Sequence, residues 1–347
     1  MKYHNYIEGM IKFIITVVAI FFVFNLSAGQ NCLPPQSINN TGHYLDLFFK
    51  NNNRDLKQEL KSKLKDYRFL IIPGIDFDFQ DGFYNQLDLK LIKVFIEKFF
   101  SGREKFIDYQ HLLAELNLPY YQMSINDFRN RNEFDKVGKI IELIRDSKKN
   151  LVIIAHSKGG TDLLDALIKM NHSIYLKNYI NKIKGIIFLQ TPIQGSPLAN
   201  VLYELSHDSN FRWIEGVINW ATGLNRKTAK NLSLEYRANF NEIHHDFFNQ
   251  LGKKIPIISF SSSIPSDSTR YKMQIFKLFR DISFESSGLD NDGLIPCNSA
   301  FINSPFVTVT NLDHLTIINS SSKQQRRGTD YDRKKMILVL LKLLFDN

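Results

Sequence analysis

The stretch LVIIAHSKGGTDLLDALI, residues 151–168, predicts a buried strand, a sharp turn and a helix in direct succession. Four apolar residues at 151–154 favour a strand of a parallel sheet, and the apolar spacing predicts a helix over 159–170. Ser157 lies between the two, with Ala155 before it and two glycines after it. A strand-to-helix turn of this kind strains the serine backbone, lifts its hydroxyl above the sheet and requires small neighbours. Ser157 is therefore a candidate nucleophile, and the alternative is an ordinary helix start.

The rest of the chain alternates short apolar strands with helical segments. The other predicted strands are 68–72, 118–123, 183–189, 255–261 and 306–309. The other predicted helices are 55–67, 88–100, 135–146 and 332–345. Such alternation is typical of an α/β fold with a mostly parallel sheet covered by helices on both faces. Residues 198–249 break the pattern and predict a helical, aromatic-rich lid or cap insertion, whereas 30–54 has the polar character of a loop. We expect a single domain over 30–347.

The N-terminal residues 1–29 have the pattern of a secretory signal peptide. An apolar run at 13–24 follows two lysines and precedes three small residues. It is shorter than the ~20 apolar residues that a membrane helix needs. We therefore expect a secreted or periplasmic protein, and the alternative is membrane anchoring through this segment. The two cysteines, Cys32 and Cys297, could pair in an oxidising compartment, although nothing in the sequence shows that they meet.

The chain is basic, with a formal net charge of +9 at pH 7. A basic exported protein can favour anionic membranes or nucleic acid. Here Lys and Arg are scattered, which favours a solvated surface, and no basic stripe with interleaved aromatics indicates a nucleic-acid partner. The adjacent His244-His245 has no spaced third ligand, so the sequence predicts no metal and no other cofactor.

A nucleophilic serine needs a base and an orienting acid, which follow it in the order acid, then histidine, on a sheet of this kind. Of the nine histidines, those that precede Ser157 do not fit this order. His172 comes too early, and three others lie in the 198–249 insertion. His314 remains, directly after the last predicted strand, where a loop can return it over the sheet.

The acid is expected in the loop SSGLDNDGLIPCNS, residues 286–299. Asp292 precedes a glycine in a turn that could aim its carboxylate at the imidazole, so it is the candidate. Asp290 is the competitor, and Asp267 is a further alternative. Asp313, beside the histidine, is expected to point elsewhere. The Asp-Asn-Asp-Gly order also fits a purely turn-forming role.

Stabilisation of a tetrahedral oxyanion needs two backbone N–H donors. The amide of Lys158, directly after the serine, is the first candidate. The loop IIPGIDFD, residues 71–78, should supply the second from Ile75 or, as second choice, from Asp76. Gly74 lets this backbone approach the serine, and the alternative is a plain turn.

Four motifs in this order resemble the lipase-like branch of the α/β-hydrolase superfamily, in particular secreted bacterial triacylglycerol lipases. The motifs are AHSKGG (155–160), QTPIQGSPLAN (190–200), NDGLIPCNS (291–299) and LDHLTIIN (312–319). The separation of 22 residues between Asp292 and His314 also fits that branch. Two features depart from it. Thr316 stands where those lipases often carry a calcium-binding acid, so calcium is not expected. Their acid-loop cysteine, which Cys297 matches, usually pairs with a cysteine in the lid region, but the 198–249 insertion contains none.

The resemblance implies a serine carboxylic-ester hydrolase, a lipase that acts on lipid or long-chain acyl esters through an acyl-enzyme. Ser157, Asp292 and His314 would form its triad. One alternative is a phospholipid or glycolipid deacylase, or an acyltransferase, on the same triad. Another is a catalytically silent protein that binds a membrane or a partner. The aromatic insertion favours contact with a lipid interface, and it equally fits a cap that packs on the core.

Overall fold

A six-stranded parallel sheet forms the centre of the computed structural model, in the strand order β2-β1-β3-β4-β5-β6. The strands are β1 Tyr67–Ile72, β2 Tyr120–Gln122, β3 Asn150–His156, β4 Ile183–Leu189, β5 Ile257–Ser263 and β6 Phe306–Thr310. The structure describes residues 39–74, 105–124, 136–205, 226–264, 280–281, 290–318 and 332–346. All six predicted strands are confirmed, with ends that differ by up to two residues.

Helices precede, connect and follow these strands. They are α1 Thr41–Lys50, α2 Asn53–Leu64, α3 Ile107–Glu115, α4 Lys136–Asp146, α5 Lys158–His172, α6 Pro197–Leu205, α7 Arg226–Asn231, α8 Leu234–Ile243, α9 His245–Lys254 and α10 Arg333–Asp346. Short 3-10 helices occur at Lys177–Lys182 and Cys297–Ala300. The helices predicted for 55–67, 135–146, 159–170 and 332–345 are confirmed as α2, α4, α5 and α10.

Each face of the sheet has its own hydrophobic core, because alternate residues of a strand point to opposite sides. In β3, Val152 and Ile154 pack into one core, and Ile153 and Ala155 pack into the other. Helices α1, α2, α3 and α10 cover the first face, and α4, α5 and α9 cover the second. The predicted parallel sheet with helices on both faces is therefore confirmed.

The prediction of a polar loop over 30–54 is wrong in its described part, because Thr41–Lys50 is a helix. Only Tyr44 and Phe48 of this helix are buried. Their spacing of one turn places both on the same side, and the polar residues around them hide the pattern in the sequence. The Tyr44 and Phe48 rings pack against the body of the protein near Phe260.

Strand β5 extends two residues beyond its predicted end. Ser261, Ser262 and Ser263 pair with β6 and are buried although they are polar. A run of serines carries no hydrophobic signal, so only the pairing with β6 identifies it as strand. The extension carries the following chain towards the acid loop, since the Ile264 amide donates to the Asn291 carbonyl at 2.9 Å.

The described part of the 198–249 insertion is helical and comprises α6 to α9. Helix α9 packs on the sheet through Phe248 and Leu251 and leads into β5. The aromatic residues at 211–220, the signal peptide predicted at 1–29 and the helix predicted at 88–100 lie outside the described residues. Among the described helices, none has the length and apolar character to cross a membrane.

Candidate active site

Ser157 lies in a strained turn between β3 and α5. Its backbone has φ 53° and ψ −133°, a conformation that non-glycine residues rarely adopt and that is often retained at functional sites. The turn is fixed on both sides. The Ser157 amide donates to the Leu189 carbonyl at 2.9 Å, and the Ser157 carbonyl accepts from the Gly160 amide at 3.0 Å. The serine is therefore held by β4 and by its own helix, and its side chain is partly exposed.

Three glycines allow this turn to be packed. A Cβ on Gly159 would lie 2.4 Å from the Pro73 carbonyl oxygen, and one on Gly160 would lie 2.2 Å from the hydroxyl oxygen of Thr191. A Cβ on Gly74 would lie 2.8 Å from the Cβ of Ser157. These distances are too short for real side chains. The loops after β1 and β4 thus approach the serine closely only because the motif supplies glycine.

The structure brings the predicted Ser157, His314 and Asp292 together. His314 Nε2 lies 2.8 Å from Ser157 Oγ, and His314 Nδ1 lies 2.8 Å from Asp292 Oδ2. His314 and Asp292 are buried, with 2% and 1% of their surface exposed. The order hydroxyl, imidazole and carboxylate has the geometry that proton transfer from the serine to the histidine would require.

The Asp292 carboxylate is itself fixed in orientation. Its Oδ1 accepts from the amides of Leu294 at 2.9 Å and Ile295 at 2.8 Å, which leaves Oδ2 directed at the imidazole. The Asp292 carbonyl also accepts from the His314 amide at 3.0 Å. The acid loop and the histidine loop are therefore joined by one backbone and one side-chain bond.

Three other aspartates, Asp290, Asp267 and Asp313, lie in the same C-terminal part of the sequence. Asp313 Oδ1 accepts from the amides of Leu315 and Thr316 and thereby caps its own turn. Burial raises the pKa of the Asp290 carboxyl, and the charge of Arg280 opposes this effect. Asp267 lies outside the described residues.

The predicted oxyanion donors are only partly described. Lys158 begins α5, so its amide directly follows the nucleophile. Its side chain pairs with Asp162 and is not aimed at the serine. Ile75 and Asp76 lie outside the described residues, although Gly74 directly before them touches Ser157.

Two buried polar residues beneath His314 were not predicted. His156 Nε2 lies 3.0 Å from the His314 carbonyl oxygen and 3.3 Å from Gln190 Oε1. Both neighbours are acceptors, so Nε2 carries the proton and donates. Burial, and then the charge of nearby His314, hold the pKa of His156 well below its usual range. His156 is thus a neutral support for the His314 backbone, and its place directly before the serine gave no signal of this bond.

The loop that carries His314 is also held from the outside. Arg333 donates from Nη1 to the Thr316 carbonyl at 2.9 Å and from Nε to Asp108 Oδ2 at 2.8 Å. The Tyr109 hydroxyl donates to the Ile317 carbonyl at 2.9 Å. Thr316, which replaces the calcium-binding acid of the resembled lipases, is therefore bound at its carbonyl by the Arg333 guanidinium.

Cys297 begins the 3-10 helix that follows the acid loop, and it is disulfide-bonded. Its amide donates to the Asp290 carbonyl at 2.9 Å. Cys32, the other cysteine of the chain, lies outside the described residues. The disulfide therefore attaches to the same segment that positions Asp292.

Comparison with solved structures gives the fold. A metagenomic carboxyl esterase, MGS0156, superposes with a TM-score of 0.53 at 18% identity, covering 81% of this chain and 76% of that one. The mature lipase BlEst2 of Bacillus licheniformis superposes with a TM-score of 0.51 at 14% identity, covering 81% and 92%. The chain has the α/β-hydrolase fold.

Sequence comparison gives a weaker likeness to the same class. Triacylglycerol lipase 2 of Saccharomyces cerevisiae is 24% identical over 181 residues, which are 52% of this chain and 49% of that protein. The match therefore spans about half the length of this curated relative. No family model matches the chain.

Proposed function

We propose that the protein is a serine hydrolase of carboxylic esters, with lipid or other long-chain acyl esters as substrates. The single observation that carries the proposal is the continuous line of hydrogen bonds from Ser157 through His314 to Asp292. The serine at the start of this line has the strained backbone of a nucleophile turn and is the only partly exposed member of the three.

The proposed reaction begins with attack of Ser157 Oγ on the ester carbonyl. His314 Nε2 takes the hydroxyl proton as the new C–O bond forms, and Asp292 stabilises the resulting imidazolium through Nδ1. The carbonyl oxygen becomes an oxyanion, for which the Lys158 and Ile75 amides are the proposed donors. Collapse of the tetrahedral intermediate breaks the ester bond, and the imidazolium protonates the leaving alcohol.

The acyl-enzyme is then resolved by water. His314 takes a proton from a water molecule while the water oxygen attacks the acyl carbon. Collapse of the second tetrahedral intermediate breaks the bond to Ser157 Oγ, returns the proton to Ser157 and frees the carboxylic acid. An alcohol in place of water would give acyl transfer by the same steps. Hydrolysis is proposed here because the relatives with the higher TM-scores are an esterase and a lipase.

Lipid specificity is assigned to the helical insertion 198–249, proposed as lid or acyl-binding wall. Its sequence carries Phe211, Trp213 and Trp220, which suit contact with acyl chains and with a lipid interface. We also propose export, through cleavage of the 1–29 segment. The disulfide at Cys297 supports an oxidising compartment.

The test is a chain-length series of p-nitrophenyl esters on wild type and Ser157→Ala. We expect kcat to fall by roughly 10⁴–10⁶-fold in the variant, because the nucleophile and the base act as one unit. A fluorophosphonate probe should label wild type at Ser157 and leave the variant unlabelled. Ser173→Ala, at the other end of the same helix, is the matched control and should keep full activity.

Two results would contradict the proposal. Equal hydrolysis by wild type and Ser157→Ala would remove Ser157 as the nucleophile. Folded wild-type protein that neither hydrolyses any ester of the series nor forms the fluorophosphonate adduct would support the catalytically silent alternative. A preference for the shortest acyl chains would overturn the lipid assignment alone.

A further inference from the structure

Lys136, at the start of α4, contacts the loop that approaches the nucleophile. Its ammonium donates to the Gly74 carbonyl at 2.8 Å and also to the Pro73 carbonyl. The side chain is 13% exposed. An ammonium has three donors, and two of them are used on successive carbonyls of one short loop. The residue belongs to no motif in the sequence and is not part of the triad.

We propose that Lys136 is a positioning residue that fixes the oxyanion-binding loop after β1. The proposal rests on the proposed function, in which the amide of Ile75 is the second oxyanion donor. The Gly74 carbonyl and that amide belong to the same peptide unit. Because a trans peptide is planar, a cation that fixes the direction of the carbonyl fixes the opposite direction of the N–H. A charge on the carbonyl oxygen also polarises the unit and strengthens the N–H as a donor.

The composition of the loop explains why it needs this support. Gly74 must be glycine, since a Cβ there would lie 2.8 Å from Cβ of Ser157. Glycine has more accessible backbone conformations than any other residue, so it fits the gap at the cost of a less defined loop. Pro73 lacks an N–H and cannot add a backbone donor bond. Lys136 binds the carbonyls of both residues.

Asp162 links Lys136 to the other side of the oxyanion site. Its carboxylate is buried, and Oδ2 lies 3.5 Å from the Lys136 ammonium. Oδ1 lies 2.5 Å from the ammonium of Lys158, whose amide is the first proposed donor. One carboxylate on α5 therefore connects the residue that holds the loop after β1 with the residue that follows the nucleophile. The two proposed donors are related through this ion cluster.

The test compares Lys136→Met with Lys139→Met in the full chain. Lys139 lies one turn further along α4 and pairs with Glu142, so its loss removes a cation and an ion pair without touching the loop. In Lys136→Met we expect kcat to fall about 10–100-fold, less than the 10²–10³-fold caused by removal of a donor. KM should stay within about twofold, because the lost interaction acts in the transition state. Lys139→Met should behave as wild type.

Binding of a trifluoromethyl ketone separates positioning from a general structural role. This probe forms a serine-bound oxyanion, so its inhibition constant should rise in Lys136→Met by the same factor as kcat falls. Lys136→Arg should recover most of the activity, since a guanidinium can also donate to two adjacent carbonyls. This rescue keeps the proposal testable if the methionine variant folds poorly.

The outcomes are distinguishable. If wild type and Lys139→Met are active and Lys136→Met has the same kcat, the inference is overturned and the proposed function stays intact. A raised KM with unchanged kcat and unchanged ketone affinity would also overturn it. Wild-type protein that hydrolyses no ester and gives no fluorophosphonate adduct would overturn the proposed function and the inference with it.

Discussion

The loops after β6 and β1 both reach the candidate site, and in each a cationic side chain on a helix donates to backbone carbonyls. These two cations, Arg333 and Lys136, are called the anchors of the loops, and they differ. After β6, the buried Arg333 donates to Thr316 and pairs with Asp108 at 2.8 Å. After β1, the less buried Lys136 donates to Gly74 and its neighbour. The nearest described carboxylate to Lys136, that of Asp162, lies at 3.5 Å.

The loop after β6 is also bound by a second element of the fold. The Tyr109 hydroxyl, on α3, donates to the Ile317 carbonyl of this loop. The amide of Phe106, the residue before α3, donates to the Ile318 carbonyl. The anchor at Arg333 therefore joins a loop that other elements also bind, and the anchor at Lys136 binds the described part of the loop after β1 at Pro73 and Gly74. We expect loss of the first to lower stability and loss of the second to lower the rate of the chemical step.

Arg333→Met tests the first half of this comparison and should have the largest effect on stability. The Asp108 carboxylate would lose its guanidinium, and the Thr316 carbonyl would lose a donor, both in a buried region. Breaking a buried pair from one side costs about 3–5 kcal/mol. We expect a decrease of this size in the free energy of unfolding, measured by urea denaturation with circular dichroism.

Lys334→Met is the matched control for that variant. Lys334 is the next residue of α10 and pairs with Glu115 at the surface. Exposed pairs contribute about 0–1 kcal/mol, so its urea midpoint should be close to that of wild type. Equal midpoints for Arg333→Met and Lys334→Met would show that the guanidinium does not anchor the loop, and the contrast with the loop after β1 would disappear.

The sequence predicts the triad better than the anchors. Ser157, Asp292 and His314 each follow a strand within a short segment that has its own local pattern, and their order along the chain restricts the choice. Asp108 and Arg333, in contrast, are 225 residues apart. Neither lies in a recognisable motif, and only the packing of α10 against α3 brings them together.

The fold was predictable for a similar reason. Strands buried on both faces are continuous apolar runs, which can be read without knowledge of their partners. Elements whose burial depends on a partner distant in the sequence could not be predicted from their own residues. Helix Thr41–Lys50 buries two residues, and Ser262 and Ser263 form strand only beside β6. Likewise, the place of His156 before the serine excludes it as base and does not reveal its bond to His314.

His156→Phe extends the comparison to the inner side of the loop after β6 and should have an intermediate effect. The buried His314 and Gln190 oxygens would lose a donor, at a cost of about 1–3 kcal/mol. We expect a lower kcat for ester hydrolysis as well, because the backbone of the base loses its support. Urea denaturation and steady-state kinetics measure the two effects.

The pH dependence of His156→Phe provides a separate check. The folded-state pKa of His156 is below its unfolded value, because burial disfavours the charged ring. Its neutral form stabilises the fold above the unfolded pKa, and this contribution is lost as pH falls. Wild type should therefore lose stability relative to the variant as pH falls below about 6.5, the ordinary pKa of a histidine. An identical pH dependence of the two urea midpoints would argue against a buried neutral His156.

Arg237 is a third anchor, which binds the loop after β4. Its ion-pair distance is the longest of the three anchors. Arg237 on α8 donates from Nε to the Ile193 carbonyl at 3.1 Å, and its Nη1 lies 3.7 Å from Asp165 Oδ1. Burial raises the pKa of Asp165 to about 6, and the opposing charge of Arg237 does not offset this effect. The other charged groups that act on Asp165 are Asp162, Lys158 and Lys169 of the same helix.

Asp165→Asn should therefore give the smallest effect and one of opposite sign to His156→Phe. The folded-state pKa of Asp165 is above its unfolded value of about 3.9, so the folded protein binds more protons between these values. Wild-type stability from this group decreases as pH rises from 4 to 6 and then stays constant. After a discount for the 31% exposure of the Asp165 side chain, we expect the free energy of unfolding of the variant to rise relative to that of wild type by about 1–2 kcal/mol over that window. Asp246→Asn, at an exposed aspartate, is the control for loss of an acidic charge. A difference that runs the other way would mean that the pair with Arg237 outweighs burial, so that this anchor resembles the tight pair at Arg333.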